Sequence, residues 1–227
     1  MSISNFEDLP LFEVVPESGS ATKGVILLNE WWGLVQQTKD NASQLSKSLN
    51  AIAVAPDFYR GKVGVTPDEA SHLMNGLNWD QAMQDIRTAV KYLKSKGILK
   101  VGVVGWCMGG ALSIAAAVHV PELSACVAFY GIPKKAFADP STAVVPIQCH
   151  FGEKDQSKGF SDKESAIKLK NALKLAAGQN VDRDFHFYEE ADHAFMTSQK
   201  PMAYEYNEKA AKLAYQRTVD FILEKLA

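Results

Sequence analysis

The chain has 227 residues, of which 47% are hydrophobic and 22% are charged, and its formal net charge is -2 at pH 7. This composition is typical of a globular chain with one sizeable core, and the small net charge gives no electrostatic reason to expect a nucleic acid or a membrane as partner. Since the sequence contains neither a run of about 18 apolar residues nor a signal peptide nor a disulfide framework, we expect one domain over residues 1–227 in the reducing cytoplasm.

The first half of the chain alternates short apolar runs with segments of helical periodicity. Strands are predicted at 11–15, 24–29 and 51–55, and helices at 38–49 and 80–96. Residues 1–22 are otherwise polar and rich in turn residues. The segment 62–80 contains glycine, proline and a weak helical pattern, and we interpret it as a connection or a cap over a site.

The second half continues the same alternation. Strands are predicted at 101–104, 125–130, 144–151 and 184–188, and helices from 111 onward, at 160–177 and at 203–226. Strands that alternate with helices predict an α/β fold, in which helices cover both faces of a mostly parallel sheet. The sequence contains no coiled-coil seam that would indicate an oligomer. We therefore expect a monomer, with a dimer as the alternative.

Polar or flexible residues follow six of the predicted strands. They are Glu30, Arg60, Cys107, Gly131, Asp155 and His193. In open α/β sheets, ligands bind beyond the carboxyl ends of the strands. The sequence therefore predicts a site at one edge of the sheet that gathers these residues.

Residues 105–109 have the pattern Gly-Trp-Cys-Met-Gly between a β-branched run and an alanine-rich helical segment. This G-x-C-x-G pattern is a nucleophile elbow, in which a sharp strand-to-helix turn leaves the middle side chain alone at the tip. The free N–H groups of the following helix point at the sulfur and favour a thiolate. The alternative is a glycine-containing turn with an inert cysteine.

A nucleophilic cysteine requires a base within hydrogen-bond reach and a group that orients this base. His193 follows the last predicted strand, and Asp155 follows an earlier one. The chain order of nucleophile, acid and histidine is that of the α/β-hydrolase fold. Glu153 and Asp192 are alternative acids. No pair of histidines or cysteines has the spacing of zinc ligands, and we therefore expect no metal.

Glu30 and two tryptophans follow the second predicted strand. A glutamate in this position is either a surface residue or a partly desolvated carboxylate that faces Cys107 and exchanges a proton with the thiol. The backbone N–H groups of Trp31 and Met108 can form an oxyanion hole. Trp31 and Trp32 can also form an apolar wall for a flat substrate.

The chain resembles the dienelactone hydrolase family, which includes the carboxymethylenebutenolidases. The residues that carry the resemblance are Glu30, Pro56-Asp-Phe-Tyr-Arg60, the Gly-rich elbow 105–110, Phe-Gly-Glu-Lys-Asp155 and Asp-His-Ala-Phe195. The resemblance extends over about residues 11–226 and implies an α/β-hydrolase fold without a large lid domain. It also implies hydrolysis of an ester or lactone through an acyl-cysteine intermediate, with no cofactor.

The same resemblance implies a role for each matching residue. Cys107 is the nucleophile, His193 the general base and then acid, and Asp155 the residue that orients the imidazole. Glu30 matches the family glutamate that interacts with the resting thiol, and Trp31 and Met108 supply the oxyanion N–H groups.

The sequence departs from the family in its positive charges. Members that open dienelactone carry arginines that hold the substrate carboxylate, one of them shortly after the catalytic histidine. Neither 194–197 nor 66–80 contains an arginine, and Arg60 and Lys62 are the nearby cations. We therefore expect a broader carboxylesterase or lactonase with a neutral or aromatic substrate. The predicted pocket is lined by Trp31, Trp32, Phe58, Tyr59, Tyr130 and Phe195, with Arg60 as a further substrate-binding residue.

Two other functions use a cysteine in this setting. Glutamine amidotransferases pair the G-x-C-x-G cysteine with a later His-x-Glu, and residues 193–195 lack that glutamate. A redox-sensing or small-molecule-binding protein would oxidise Cys107 rather than acylate it. A complete set of Cys107, His193 and Asp155 favours the hydrolase, because sensing a peroxide requires no acid behind the histidine.

Overall fold

The computed structural model describes residues 1–198 and 206–227. Its strands are β1 Ser2–Phe6, β2 Leu9–Val14, β3 Lys23–Leu28, β4 Ala51–Pro56, β5 Lys100–Trp106, β6 Ala125–Phe129, β7 Ile147–Gly152 and β8 Phe185–Tyr188. Its helices are α1 Gln36–Leu49, α2 Pro67–Asn75, α3 Trp79–Ser95, α4 Met108–His119, α5 Lys163–Leu173, α6 Val181–Asp184 and α7 Glu208–Lys225. Among the described residues, none of these helices is long and apolar enough to cross a membrane.

The eight strands form one sheet in the order β1-β2-β4-β3-β5-β6-β7-β8. The pairs β1–β2 and β2–β4 are antiparallel, and the other five pairs are parallel. The predicted α/β class with a mostly parallel sheet is confirmed, and the described residues form a single domain. The carboxyl ends of β3, β5, β7 and β8 lie at the same edge, so the loops after these strands can meet there.

Helices cover both faces of the sheet, because successive residues of a strand point to opposite faces. On β3, Val25 and Leu27 pack in one hydrophobic cluster with α1 and α7. Ile26 and Leu28 pack in a second cluster with α3 and α4. The apolar residues of β3 are consecutive because both of its faces are buried.

Strand β1 and helix α5 differ from the sequence prediction because of local chemistry. Strand β1 was not predicted, since its residues are mostly exposed at the sheet edge and show no apolar alternation. Helix α5 begins at residue 163 rather than 160. The Asp162 side chain accepts a hydrogen bond from the Ser165 N–H and caps the helix there, so residues 157–162 form a turn beside the site.

Helix α4 begins at Met108, three residues before the predicted start, because the strand turns directly into the helix at Cys107. The predicted last helix included residues 203–205, which lie outside the described residues. In the described part of the chain, α7 begins at Glu208, where the Asn207 side chain accepts a hydrogen bond from the Ala210 N–H.

Candidate active site

Cys107 lies at the sharp turn between β5 and α4. Its backbone has φ 54° and ψ −114°, in a region that is unfavourable for a residue with a side chain. Two glycines make the turn possible. A Cβ on Gly105 would lie 2.0 Å from the Gly109 carbonyl oxygen, and a Cβ on Gly109 would lie 2.1 Å from that of Leu28. Only glycine therefore allows β3, β5 and α4 to approach closely enough to form the elbow.

The loop after β8 places His193 between the cysteine and an acid. His193 Nε2 lies 3.4 Å from Cys107 Sγ, and Nδ1 lies 2.7 Å from Asp155 Oδ2. Asp155 follows β7, and its Oδ1 accepts a hydrogen bond of 2.8 Å from the Ser157 N–H. The three side chains thus form a continuous chain of hydrogen bonds across the ends of β5, β7 and β8.

The other two acids considered from the sequence have different partners. Glu153 Oε2 lies 2.8 Å from Lys163 Nζ, and Asp192 accepts a hydrogen bond from the backbone N–H of His193. The structure therefore brings Asp155, and neither alternative, to the Nδ1 side of the imidazole.

The site favours a charged histidine although it is buried. Burial acts against the imidazolium, but the hydrogen bonds and charges of Asp155 and Cys107 outweigh it and raise the pKa of His193 to about 10. Burial also acts against the Asp155 carboxylate, yet hydrogen bonds from His193, Ser161 and the Ser157 N–H hold the pKa of Asp155 below its ordinary value. At neutral pH this arrangement stabilises an imidazolium between two groups that can carry negative charge.

Ser161 also contacts the imidazole. Its Oγ lies 3.0 Å from His193 Nδ1, and the side chain is fully buried. Sequence reasoning missed this residue because it assigned position 161 to the start of a helix. Asp162 is a good N-cap residue and marks the start of the helix, so it was the signal that could have placed Ser161 in the preceding loop.

Glu30 lies beside the cysteine and histidine. Its Oε1 accepts hydrogen bonds from the hydroxyls of Thr197 at 3.3 Å and Tyr130 at 3.4 Å. Burial raises the pKa of Glu30, while the nearby His193 charge and the two hydroxyls partly oppose this shift. Glu30 is thus a carboxyl that can hold a proton at higher pH than an exposed glutamate. Sequence reasoning did not find Thr197.

The loop after β3 and the first turn of α4 are neighbours. The Tyr59 hydroxyl lies 3.2 Å from the Trp31 carbonyl oxygen and 3.1 Å from Met108 Sδ. Met108 is the first residue of α4, and the first N–H groups of a helix have no partner within the helix. Trp31 and Met108 are therefore placed side by side next to Cys107.

A cavity of about 170 Å³ opens onto Cys107. It is lined by Glu30, Trp31, Trp32, Met74, Cys107, Ser157, Phe160, His193 and Ala194. Met74 comes from α2, which confirms that the segment 62–80 reaches the site. Met74, Ser157 and Phe160 were not predicted, because nothing in their local sequence separates a pocket residue from a core or turn residue.

Five of the side chains predicted to bind the substrate are not among those that line this cavity, namely Phe58, Tyr59, Arg60, Tyr130 and Phe195. Arg60 Nη1 and Nη2 each donate a hydrogen bond of 2.8 Å to Asp85, and Arg60 lines a different cavity. Phe195 and Tyr130 are fully buried, and Tyr59 packs behind Trp31. A bidentate ion pair occupies the guanidinium, and Phe58 and Tyr59 line the same other cavity as Arg60.

The sequence and the fold were compared with known proteins. The family model for the dienelactone hydrolase family matches residues 12–226. The Protein usf of Aquifex pyrophilus is 32% identical over 213 residues, which cover 89% of this chain and 88% of that protein. A carboxymethylenebutenolidase-named protein of Aquifex aeolicus (strain VF5) is 28% identical and covers 88% of this chain and 87% of its own length.

A structure similar to this one is that of a dienelactone hydrolase-named protein from Klebsiella pneumoniae subsp. pneumoniae MGH 78578. The two superpose with a TM-score of 0.80 at 22% sequence identity, over 97% of each chain. This likeness shows that the two chains share their fold.

Proposed function

The chain belongs to the dienelactone hydrolase family, and from this premise we propose that it hydrolyses a small ester or lactone through an acyl-cysteine on Cys107. The observation that carries the proposal is the position of His193, with Cys107 Sγ 3.4 Å from one ring nitrogen and Asp155 2.7 Å from the other. A nucleophile, a base and a group that orients the base are the parts that acyl transfer requires.

In the first half of the reaction, the Cys107 sulfur attacks the substrate carbonyl carbon. The thiol proton passes to His193, whose raised pKa favours the resulting pair of thiolate and imidazolium. Formation of the C–S bond gives a tetrahedral intermediate with a negatively charged oxygen. We propose that the backbone N–H groups of Trp31 and Met108 donate hydrogen bonds to this oxygen. The C–O bond then breaks, the leaving alkoxide takes the proton from His193 Nε2, and the acyl group stays on the sulfur.

In the second half, water replaces the alcohol. Neutral His193 takes a proton from this water as its oxygen attacks the thioester carbonyl carbon. The intermediate collapses, the C–S bond breaks and the thiolate leaves beside the imidazolium, while the carboxylic acid is released. Asp155 stabilises the imidazolium in both halves and remains ionised, since its own pKa is lowered.

We assign Glu30 the role of a second acceptor for the thiol proton. Its carboxyl shares the cavity with Cys107, and burial raises its pKa. As a carboxylate, Glu30 can receive the proton of the resting thiol when His193 already carries its own proton, so the imidazolium still supplies the proton that the leaving alkoxide takes. Once protonated, it places no negative charge beside the thiolate or the tetrahedral oxygen, and so does not oppose the attack.

The cavity favours a neutral acyl group of about one ring. An apolar cavity of about 150 Å³ is large enough for benzene, and this one has about 170 Å³. Its wall contains Trp31, Trp32, Met74 and Phe160, and no lysine or arginine of the described residues lines it. Among the described lining residues His193 alone can be positive, and it is already paired with Asp155, so a substrate carboxylate would lose its water there without gaining an unpaired cation.

The experiment compares phenyl benzoate with phenyl 4-carboxybenzoate, which carries one additional carboxylate on its acyl ring. We expect thiol-dependent hydrolysis of phenyl benzoate and a kcat/KM at least about 10-fold lower for the charged analogue, because its carboxylate is desolvated without a partner. The acyl-enzyme is detected by mass spectrometry after rapid quenching with acid, and its mass increase must map to Cys107.

Two variants complete the test. Cys107→Ala must abolish both the hydrolysis and the mass increase, whereas Cys126→Ala must leave them unchanged, because burial raises the pKa of the Cys126 thiol and keeps it unreactive. Met74→Arg adds a cation to the wall and must narrow the difference between the two substrates. Hydrolysis that persists in Cys107→Ala contradicts the proposed function.

A further inference from the structure

We propose that Ser161 is a positioning residue of the hydrolytic site, which closes a ring of hydrogen bonds with Asp155 and His193 and fixes the direction of the imidazole. This inference rests on the proposed function. Ser161 Oγ lies 3.0 Å from His193 Nδ1, and the Ser161 hydroxyl also lowers the pKa of Asp155, as a donor to that carboxylate does. The three side chains are buried, so water does not compete for these bonds.

The hydroxyl has one proton and two lone pairs, which match the two partners. The Asp155 carboxylate can only accept, so the Ser161 O–H donates to Asp155. The oxygen is then free to accept from His193, whose Nδ1–H is shared between Asp155 Oδ2 at 2.7 Å and Ser161 Oγ at 3.0 Å. Two acceptors on different elements define the plane of the ring better than one.

The plane of the ring matters because the reaction moves a proton through Nε2 in both halves. Nε2 lies 3.4 Å from Cys107 Sγ, and a rotation of the ring about its Cβ–Cγ bond would move it off the sulfur. Small errors in such alignment are costly in rate. Asp155 alone leaves the ring free to swing about the Nδ1–Oδ2 line, and the bond to Ser161 restricts this swing.

The turn that carries Ser161 is itself held in place. The N–H groups of Phe160 and Ser161 donate to the Ser157 carbonyl oxygen at 3.1 and 3.0 Å, and the Asp162 carboxylate accepts from Gly159 at 2.7 Å. The same turn places Phe160 in the wall of the substrate cavity. One short segment thus sets a part of the substrate site and the orientation of the histidine together.

The alternative is a purely structural role, in which the buried Ser161 hydroxyl contributes only to the stability of the fold. Ser113 offers the matched control. It is also fully buried and lies on α4 behind the elbow, but its Oγ has no hydrogen-bond partner in the described part of the chain. Both variants remove a serine Oγ. Ser161→Ala removes it from the hydrogen bonds around His193, whereas Ser113→Ala removes a hydroxyl that has no partner among the described residues.

The experiment measures kcat, KM and the pH dependence of Cys107 alkylation by iodoacetate in both variants. For Ser161→Ala we expect a loss of about 10-fold or more in kcat with an unchanged KM, since a hydrogen bond to a charged group is removed. The alkaline fall of the alkylation rate, which follows the loss of the imidazolium that attracts the iodoacetate anion, must move to lower pH. Ser113→Ala must match the unchanged protein in all three quantities.

Equal kcat values and equal pH profiles for the two variants would overturn the proposal. If Ser161→Ala does not fold, Ser161→Gly removes the same hydroxyl and gives the same comparison. The alkylation profile needs no ester substrate, so a protein that hydrolyses none of the esters still tests Ser161. The proposed function and the role of Ser161 can therefore fail separately.

Discussion

Two buried histidines, one in the loop after β8 and one within β7, have opposite electrostatic properties. His193, after β8, contacts Asp155 and Cys107, and its pKa is raised to about 10. His150, within β7, lies between the Tyr188 hydroxyl at 2.8 Å and Gln148 Oε1 at 2.9 Å. Burial, together with the positive charges of neighbouring groups, lowers the pKa of His150 well below its ordinary value.

The comparison teaches that burial alone does not decide the charge of a histidine. Both side chains are buried, 4% and 0% exposed for His193 and His150 respectively, so the cost of removing an imidazolium from water is similar. The difference lies in the partners. Asp155 and Cys107 can be negative, whereas a tyrosine hydroxyl and an amide stay neutral. The first environment can stabilise a proton carrier, and the second holds a neutral ring in the core.

The largest expected effect comes from replacing the two rings in turn. His193→Gln must lower kcat for an aryl ester by about 10³-fold or more, since general acid–base catalysis contributes about 10²- to 10⁴-fold and here acts in both halves of the reaction. His150→Gln must keep kcat within about 2-fold while it lowers the free energy of unfolding by about 1–3 kcal/mol. Steady-state kinetics and urea unfolding measure the two quantities. A loss of kcat of equal size in both variants would remove the functional difference between the histidines.

The second prediction tests the carboxylate of Asp155 rather than the imidazole ring of His193. Asp155→Asn keeps an acceptor for His193 Nδ1 but removes the negative charge, so the pKa of His193 must fall toward its ordinary value. We expect kcat to decrease by about 10- to 100-fold, less than for His193→Gln, because an asparagine can still orient an imidazole beside a cysteine. NMR titration of the His193 ring measures the pKa, and an unchanged value near 10 would refute the role of Asp155 in setting it.

The sequence predicted the parts of this comparison that depend on local pattern. The elbow at Cys107, the loop positions of Asp155 and His193 and the parallel sheet follow from motif spacing and from the alternation of strands and helices. Ser161 and Thr197 could not be predicted, because their roles depend on contacts between loops far apart in the chain. Arg60 was expected near the substrate, but a distant residue of α3, Asp85, holds it elsewhere.

The pH dependence of stability must differ in sign between the two regions. The pKa of His193 is raised in the folded protein, so its contribution is fully present below about pH 6.5, its unfolded value, and is lost as the pH rises through about 10. The pKa of His150 is lowered, so its contribution is present above the unfolded value and is lost as the pH falls. Urea unfolding at several pH values must therefore show a weaker alkaline loss in His193→Gln and a weaker acid loss in His150→Gln. If the free energy of unfolding depended on pH in the same way in both variants, the opposite pKa shifts of His193 and His150 would be contradicted.

The smallest effect concerns the Tyr188 hydroxyl, which lies 2.8 Å from His150 Nδ1. Burial raises the pKa of Tyr188 to about 12, so its hydroxyl stays protonated. Because Gln148 Oε1 can only accept, His150 carries its proton on Nε2, and Nδ1 accepts from the Tyr188 O–H.

Tyr188→Phe leaves Nδ1 without this donor and Arg217 without the hydroxyl it contacts at 3.3 Å. We expect the free energy of unfolding to fall by about 1–3 kcal/mol, the usual cost of a buried polar group left without its partner. The rate of ester hydrolysis must stay unchanged, because His150 moves no proton in the reaction. A fall in kcat without a fall in stability would mean that the core histidine and the active-site histidine are coupled, and that the two regions do not act independently.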